Sequence, residues 1–470
     1  MKHSAPVSQV RVACESPLGP LEWWRHALSH GGISPDPLPP AVVDGLGQLK
    51  PRLIRIFIQE FFDVYPDHDT FDWSRLDPHM EALAATGANI VAAITIKPKV
   101  LYPAIDHAIW EPTDVDEWQR LIHALVTRYS VERRLVTHWE VGNETDIGED
   151  GGSPYLIPGA GEYAAFYRMT IEPILAAFPE ARVGGPAACW IDNEPLPGFI
   201  EICKQAGTQL DFISWHLYSD DPDRHAMGIR RAQELLEGYP GKRPELFITE
   251  WARGFPHSVT AGDAAEQYPL SVEEAGFEGR AGSTTAAIAL AMLDAGVDWA
   301  FYYHVWDQAC DPESFRPFFT GAGVANMVRH WNEVPHRFGM FGVNGAPRPQ
   351  YFVFQMLGMV GDERLAVEAE APGLRFLAAR DDGGHGVMIV NHHDDEEAVL
   401  DRVVELEFAN ITPGRKRIVI TQIDDNHRWR EEPCQLEPVE VRDTFAQATF
   451  RCQAWCPRDS VTLVRLEDVS

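Results

Sequence analysis

Two glutamates stand at the carboxyl ends of apolar runs. Glu144 closes His138-Trp139-Glu140-Val141-Gly142-Asn143-Glu144, and Glu250 closes Leu246-Phe247-Ile248-Thr249-Glu250. Two carboxyl groups that face each other, one protonated and one ionised, are the equipment for cleaving a bond between sugars. The acid protonates the leaving oxygen, and the carboxylate attacks the anomeric carbon or activates water. Other side chains of matching chemistry end neighbouring runs. His216 and Tyr218 alternate along Phe212 to Tyr218 and so share one strand face. A tyrosine hydroxyl beside a carboxylate favours its ionised form, as a nucleophile requires, whereas a core histidine is the ordinary reading of His216. Trp306, after Tyr302-Tyr303-His304-Val305, is expected as a flat floor for a sugar ring. Lys97 and Lys99, which follow Ile90 to Ile96, would suit a substrate carboxylate.

These positions have to be gathered by a scaffold, and the rhythm of the chain supplies one. Short apolar runs alternate with stretches of helical period over the first three quarters, the pattern of repeated βα units. The runs are Val10 to Glu15, Leu53 to Gln59, Ile90 to Ile96, His138 to Glu144, Arg182 to Ala187, Phe212 to Tyr218, Leu246 to Trp251 and Trp299 to Trp306. Helices are expected over Trp73 to Thr86, Asp114 to Tyr129, Gly161 to Phe178, Pro195 to Ala206 and Thr284 to Ala295. Gly87, Pro179 and Gly296 supply their stop signals. Eight strands with crossover helices, and no G-x-G-x-x-G after the first, predict a closed (β/α)8 TIM barrel. Its strand ends converge on one mouth, with the fourth and seventh runs on opposite sides.

Beyond Gly361 the runs become β-rich and helices stop. The strands expected are Leu374 to Arg380, Gly386 to Asn391, Val403 to Phe408, Lys416 to Ile423, Ala448 to Cys452 and Ser460 to Leu466. Turn clusters such as Asp381-Asp382-Gly383-Gly384 separate them. The reading is a catalytic barrel over residues 1–360 and a small antiparallel β-sandwich over residues 361–470.

Composition narrows the partners. With 70 acidic against 40 basic side chains the formal charge is −30, a field that repels nucleic acid and favours a neutral or cationic ligand. Fourteen tryptophans suit either a large core or a sugar cleft. The start Met1-Lys2-His3-Ser4-Ala5-Pro6 lacks a signal-peptide run, and no stretch of about 18 apolar residues follows, so a cytoplasmic protein without a membrane partner is expected. Cys14, Cys189, Cys203, Cys310, Cys434, Cys452 and Cys456 form an odd set without C-x-x-C spacing, which fits reduced structural thiols. Asn391-His392-His393-Asp394-Asp395-Glu396-Glu397 reads as a solvated charge run, and His330-Trp331-Asn332-Glu333 with His336 only loosely suggests a metal. The expected reaction needs no metal or other cofactor. Self-association into a homo-oligomer is left open.

The motifs together resemble the retaining glycosidases of clan A, and within that clan glycoside hydrolase family 39, the β-xylosidases and α-iduronidases. The resemblance rests on Trp139 to Glu144, Asp211 to Tyr218, Ile248-Thr249-Glu250-Trp251 and Phe71-Asp72-Trp73-Ser74-Arg75-Leu76-Asp77. A further stretch is Gly339-Met340-Phe341-Gly342 leading to Arg348-Pro349-Gln350-Tyr351-Phe352. It implies that Glu144 is the acid/base, Glu250 the nucleophile and Asn143 a partner of the sugar 2-hydroxyl. It further implies that Arg55 braces the nucleophile and that His216 and Tyr218 line the same subsite, with Trp251 counted among the substrate contacts. Two departures bear on the sugar. Phe57, followed by Gln59 and Glu60, stands where the family's xylosidases place a histidine two positions after the arginine, with Gln59 counted among the substrate contacts, and Thr95-Ile96-Lys97-Pro98 lacks their carboxylate. The expected activity is an exo-acting, β-xylosidase-like hydrolysis of an oligosaccharide or glycoside. An endo-acting hydrolase, a transglycosidase and a silent carbohydrate-binding protein are the rivals.

Overall fold

The computed structural model describes residues 6–254, 279–333, 339–393, 400–425 and 435–469. Its centre is a closed parallel barrel of β2 (His26–Ser29), β3 (Leu53–Ile58), β4 (Asn89–Ile94), β5 (Val136–Val141), β6 (Arg182–Ala188), β7 (Phe212–Tyr218), β8 (Glu245–Ala252) and β9 (Trp299–Tyr303). The ring closes where β2 pairs with β9, His26 opposite Ala300 through Ser29 opposite Tyr303. Helices cover its outside: α1 (Pro40–Gln48), α2 (Leu76–Ala84), α3 (Val115–Val126), α4 (Ala160–Ala177), α5 (Leu196–Ala206), α6 (Pro222–Leu235) and α7 (Gly279–Ala295). After β9 come α8 (Pro312–Phe315), α9 (Gly321–Val328) and α10 (Pro349–Met359). With helices outside and side chains inside, every residue of β3 is buried, as parallel strands in such layers require.

The barrel interior is filled in layers. Ala27, Leu53, Val91, Phe212, Phe247 and Phe301 form an apolar plug, with the Phe212 and Phe247 rings stacked at 4.3 Å. Counting in twos from Leu53 toward the carboxyl end of β3 puts Arg55 and then Phe57 on the same inner face. The same count from Phe212 places His216 and Tyr218 above the plug. Polar side chains therefore collect at one end, because the other is sealed by hydrocarbon.

The first run was expected as a barrel strand, and the structure corrects this. β1 (Val7–Pro20) pairs antiparallel with β10 (Glu363–Ala369) and parallel with β13 (Arg402–Ala409), so it belongs to the second sheet. The first barrel strand is instead the four-residue β2. The second sheet also holds β11 (Leu374–Asp381), β12 (Gly384–Asn391), β14 (Gly414–Ile423), β15 (Pro438–Ala446), β16 (Thr449–Cys456) and β17 (Ser460–Asp468). It is nine-stranded in the order β15-β14-β17-β12-β11-β10-β1-β13-β16, antiparallel at every pairing except β1 with β13. Residues from both halves of that order, among them Val12, Leu406, Ile418 and Leu466, share one apolar core, so the sheet folds over on itself. Its other buried face, with Leu377, Met388 and Leu463, joins the core of the barrel's helical layer.

Among the described residues no helix is long and apolar enough to cross a membrane. Cys14, Cys189, Cys203, Cys310, Cys452 and Cys456 are all free thiols, and Cys434 lies outside the described residues.

Candidate active site

The strand ends build one pocket. After β5 the chain turns sharply: Gly142 has φ +87° and Glu144 φ +41°. A side chain at 142 would also stand 2.8 Å from the Thr145 methyl, so glycine is required there. Glu144 holds its left-handed backbone while its N–H donates to the Ala187 carbonyl on β6 at 2.9 Å. Such a conformation in a non-glycine residue costs of order 1 kcal/mol and persists where its surroundings enforce it. The turn aims Asn143 and Glu144 at Glu250, which rises from β8. Carboxylate oxygens of Glu144 and Glu250 and a ring nitrogen of His216 all lie within 4.8 Å of one another.

Hydrogen bonds fix each group. Arg55, completely buried, donates from Nε to Glu140 at 2.6 Å, from one Nη to Glu250 at 2.8 Å and from the other to Asn143 Oδ1 at 2.8 Å. The Tyr218 hydroxyl donates to the second Glu250 oxygen. His216 Nδ1 meets Glu144 Oε1 at 2.7 Å. Gly151, in the loop after β5, packs so close that a Cβ there would sit 1.9 Å from Glu144 Oε2. Absence of a side chain at 151 thus leaves that oxygen its place.

The two carboxyl groups are only 8% and 5% exposed, yet their surroundings differ. Burial pushes Glu144 well above the usual carboxylate range, and the charges of Glu250 and Asp146 push it further. Burial also raises Glu250, but the Arg55 charge and hydrogen bonds from Tyr218 and Arg55 pull it back toward ionisation. His216 is driven well below its ordinary value by burial and by Arg55, so it stays neutral. Both groups therefore sit above the ordinary carboxylate range, Glu144 the further of the two, an asymmetry that suits one protonated and one ionised carboxyl.

Around the pair lies a cavity of about 300 Å³ lined by Phe57, Gln59, Asn143, Tyr218, Tyr303 and Trp331, among others. Its rim is stitched together. Thr320 donates its N–H to Glu149 at 2.7 Å, and Asn326 Nδ2 reaches the Asp150 carbonyl at 3.2 Å, which ties the loop after β5 to α9. Gln59 donates its amide to the Gly152 carbonyl at 3.3 Å, and its buried Oε1 has no partner among the described residues.

Of the residues singled out in the sequence, Glu144, Glu250, Asn143, Arg55, His216, Tyr218 and Gln59 come together here. Three do not. Lys97 points away: its ammonium donates to the Asp106 and Pro154 carbonyls at 2.8 and 2.9 Å, beside the Tyr102 and Tyr155 rings. Burial brings its pKa down to about 8. Trp251 faces outward from β8 into the helical layer, stacked on Phe354 and buried completely, because inward-facing Glu250 sends its neighbour to the other side. Trp306 lies past the end of β9, bridged to Phe341 and stacked near His30, outside the cavity wall. The tryptophans that line the cavity instead are Trp190 and Trp331, and Trp331 is held edge-on against Tyr303 and His304. It lies in the helical turn Arg329–Glu333, and nothing in the sequence marks that turn as folding over the mouth. Glu140, the buried counter-charge of Arg55, has no role in the reading of the sequence.

Glu144, His216 and Glu250 are also the one group among the described residues with metal-ligand geometry. Asp394 to Glu397 and His336, named with the two loose histidine clusters, lie outside the described residues.

Comparison with known proteins agrees with this architecture. The beta-xylosidase of Caldicellulosiruptor saccharolyticus is 24% identical over 420 residues, 81% of this chain and 77% of that protein. The beta-xylosidase of Geobacillus stearothermophilus is 24% identical over 309 residues, 63% of this chain, so the match spans only about half, 55%, of that relative's length. Among solved structures, the GH39 enzyme from Xanthomonas axonopodis pv. citri superposes with a TM-score of 0.75 at 18% identity, over 99% of this chain and 98% of that one. A monomeric beta-xylosidase from Caulobacter crescentus CB15 gives 0.72 at 20% identity, over 99% and 100%. The sequence model of glycosyl hydrolases family 39 matches residues 69–432, most of the chain, and the protein belongs to that family.

Proposed function

We propose that this glycoside hydrolase is an exo-acting, retaining β-xylosidase-like enzyme with Glu144 as acid/base and Glu250 as nucleophile. The observation that carries the reading is the approach of the two carboxyl groups to within 4.8 Å. Retaining enzymes place theirs about 5–5.5 Å apart, while inverting ones need about 6.5–9.5 Å to admit a water. Glu250 attacks the anomeric carbon as Glu144 gives its proton to the departing oxygen, and a glycosyl ester forms on Glu250. Water then attacks the same carbon, yields its proton to Glu144 and releases the sugar with Glu250 restored. Neutral His216 can donate from Nδ1 to Glu144 Oε1, which leaves Oε2 to carry the transferred proton. Arg55 holds Asn143 through Oδ1, and the Asn143 amide gives one N–H to the Gly151 carbonyl at 3.3 Å and keeps the other for the sugar. The cavity volume suits a single sugar ring with the start of its leaving group, which favours exo action. The xylosidase assignment is supported by the names of the two relatives above.

The test is the stereochemistry of the first product. Proton NMR of 4-nitrophenyl β-xyloside hydrolysis should show the β-anomer of xylose before it mutarotates. The α-anomer appearing first would overturn the retaining assignment.

A further inference from the structure

The reaction requires the leaving group to depart on the side of Glu144, and the wall on that side carries a feature the mechanism does not use. The end of β6 and the segment after it are docked to the chain around Glu144: Ala187 accepts the Glu144 N–H, and Cys189 donates its own N–H to Asp146 at 3.1 Å. The next residue, Trp190, lines the cavity half-buried. Over its ring lies the guanidinium of Arg224, 5.2 Å from the centroid. Arg224 sits in the first turn of α6, which Asp221 caps by accepting from the Asp223 N–H at 2.8 Å.

This arginine differs from the others near the site. Arg55 is spent on Glu140, Glu250 and Asn143. Asp223, the acidic neighbour of Arg224, is paired instead with Arg375 of the second sheet at 3.1 Å. Among the described residues Arg224 has the Trp190 ring as partner and forms no ion pair, and every other lysine- or arginine-type charge is absent from the cavity wall. On a chain of charge −30, a cation at the cavity mouth that pairs with none of the described carboxylates is conspicuous. Contact with the Trp190 ring positions the guanidinium without using its N–H donors, and a guanidinium so placed can take a carboxylate with two parallel hydrogen bonds.

We propose that Arg224, stacked on Trp190, forms a leaving-group subsite selective for glycosides whose aglycone carries a carboxylate. The inference rests on the proposed glycosidase reading, which puts the aglycone beside Glu144. Lys97, the cation expected from the sequence to meet a substrate carboxylate, is not available for it.

The experiment compares the β-xylosides of 4-nitrophenol and of 3-carboxy-4-nitrophenol, with the 3-sulfo analogue as a third arm. For the wild type and for Arg224→Met and Arg224→Lys, the quantity read is the kcat/KM ratio of charged to neutral substrate, so a common change in both cancels. A bidentate charged contact predicts that Arg224→Met lowers the carboxylate ratio about tenfold or more and that Arg224→Lys restores it only in part. An unchanged ratio would overturn the proposal, and so would a ratio that falls only for the sulfonate. Calorimetric titration of 4-hydroxybenzoate against 4-hydroxybenzamide into both proteins gives a readout independent of turnover. Wild-type preference for the benzoate, lost in Arg224→Met, supports the subsite even if no xyloside is cleaved, which would instead defeat the xylosidase reading. Equal binding of the two would refute the subsite.

Discussion

Replacing Tyr218 with phenylalanine removes one hydroxyl and tests the polarisation of the carboxyl pair. Tyr218 donates to one Glu250 oxygen while Arg55 holds the other, so the variant keeps Glu250, the proposed nucleophile, in place and loses one stabilising bond to its ionised form. A hydrogen bond to a charged group contributes about 1.5–3 kcal/mol, and each pKa unit corresponds to about 1.36 kcal/mol, so the Glu250 pKa should rise by about one to two units. The sign follows from which form loses its partner. The carboxylate becomes the poorer species, protonation becomes easier, and the acid limb of kcat/KM moves to higher pH by the same amount. The basic limb, set by the proton on Glu144, should move little. Measuring kcat/KM from about pH 4 to about pH 9 for both proteins reads the limbs directly. An acid limb that stays put while activity falls equally at every pH would refute the reasoning and place the Tyr218 hydroxyl on the substrate instead.

Further outcomes follow from the same contacts. Gly151→Ala puts a methyl where Glu144 Oε2 stands, and displacement of the acid by about 1 Å should cost about a hundredfold in kcat with little change in melting temperature. Glu144→Gln should slow cleavage of poor leaving groups strongly and that of 2,4-dinitrophenolate weakly, because only the former need protonation; equal losses on both would argue against an acid role. Lys97→Met should lower stability by about 2–3 kcal/mol in urea unfolding, since it strips a charged donor from the buried Pro154 carbonyl and the half-buried Asp106 carbonyl, and should leave the preference between neutral and uronic acid glycosides unchanged. Trp251→Ala should cost about 3–5 kcal/mol of stability with KM unaltered, whereas Trp331→Ala should raise KM.

Much of the fold was legible because parallel and antiparallel strands write different patterns. Leu53–Ile58 and Phe212–Tyr218 read as nearly continuous apolar runs, and both are barrel strands covered on two faces. The first run was misread although its sequence carried the contrary signal. In Val7–Cys14 the residues Gln9 and Arg11 alternate with buried Val10 and Val12, the period of a strand with one wet face. β2, by contrast, is four residues long and includes His26 and Ser29, too little for a pattern to show. Strands β10 and β15 were missed for a related reason: β10 is mostly half-buried and β15 mostly exposed, and charged residues break up their apolar pattern. In the site, period two predicted that His216 and Tyr218 would act on one face. The same rule, applied to Glu250, would have sent Trp251 outward. Trp331, Gly151 and Arg224 were invisible because they lie in loops and helix ends, whose positions over the mouth depend on tertiary contacts such as Thr320 with Glu149 and Arg224 with Trp190.

The most direct measurement is the site of a covalent trap. Incubation with a 2-deoxy-2-fluoro-β-xyloside bearing a good leaving group slows the second displacement, so a glycosyl ester accumulates. Peptide mass spectrometry should then find one fluorosugar per chain, attached to Glu250, and the Glu250→Gln protein should take none. Attachment to another carboxylate, or turnover of the parent xyloside by the Glu250→Gln protein, would contradict the account.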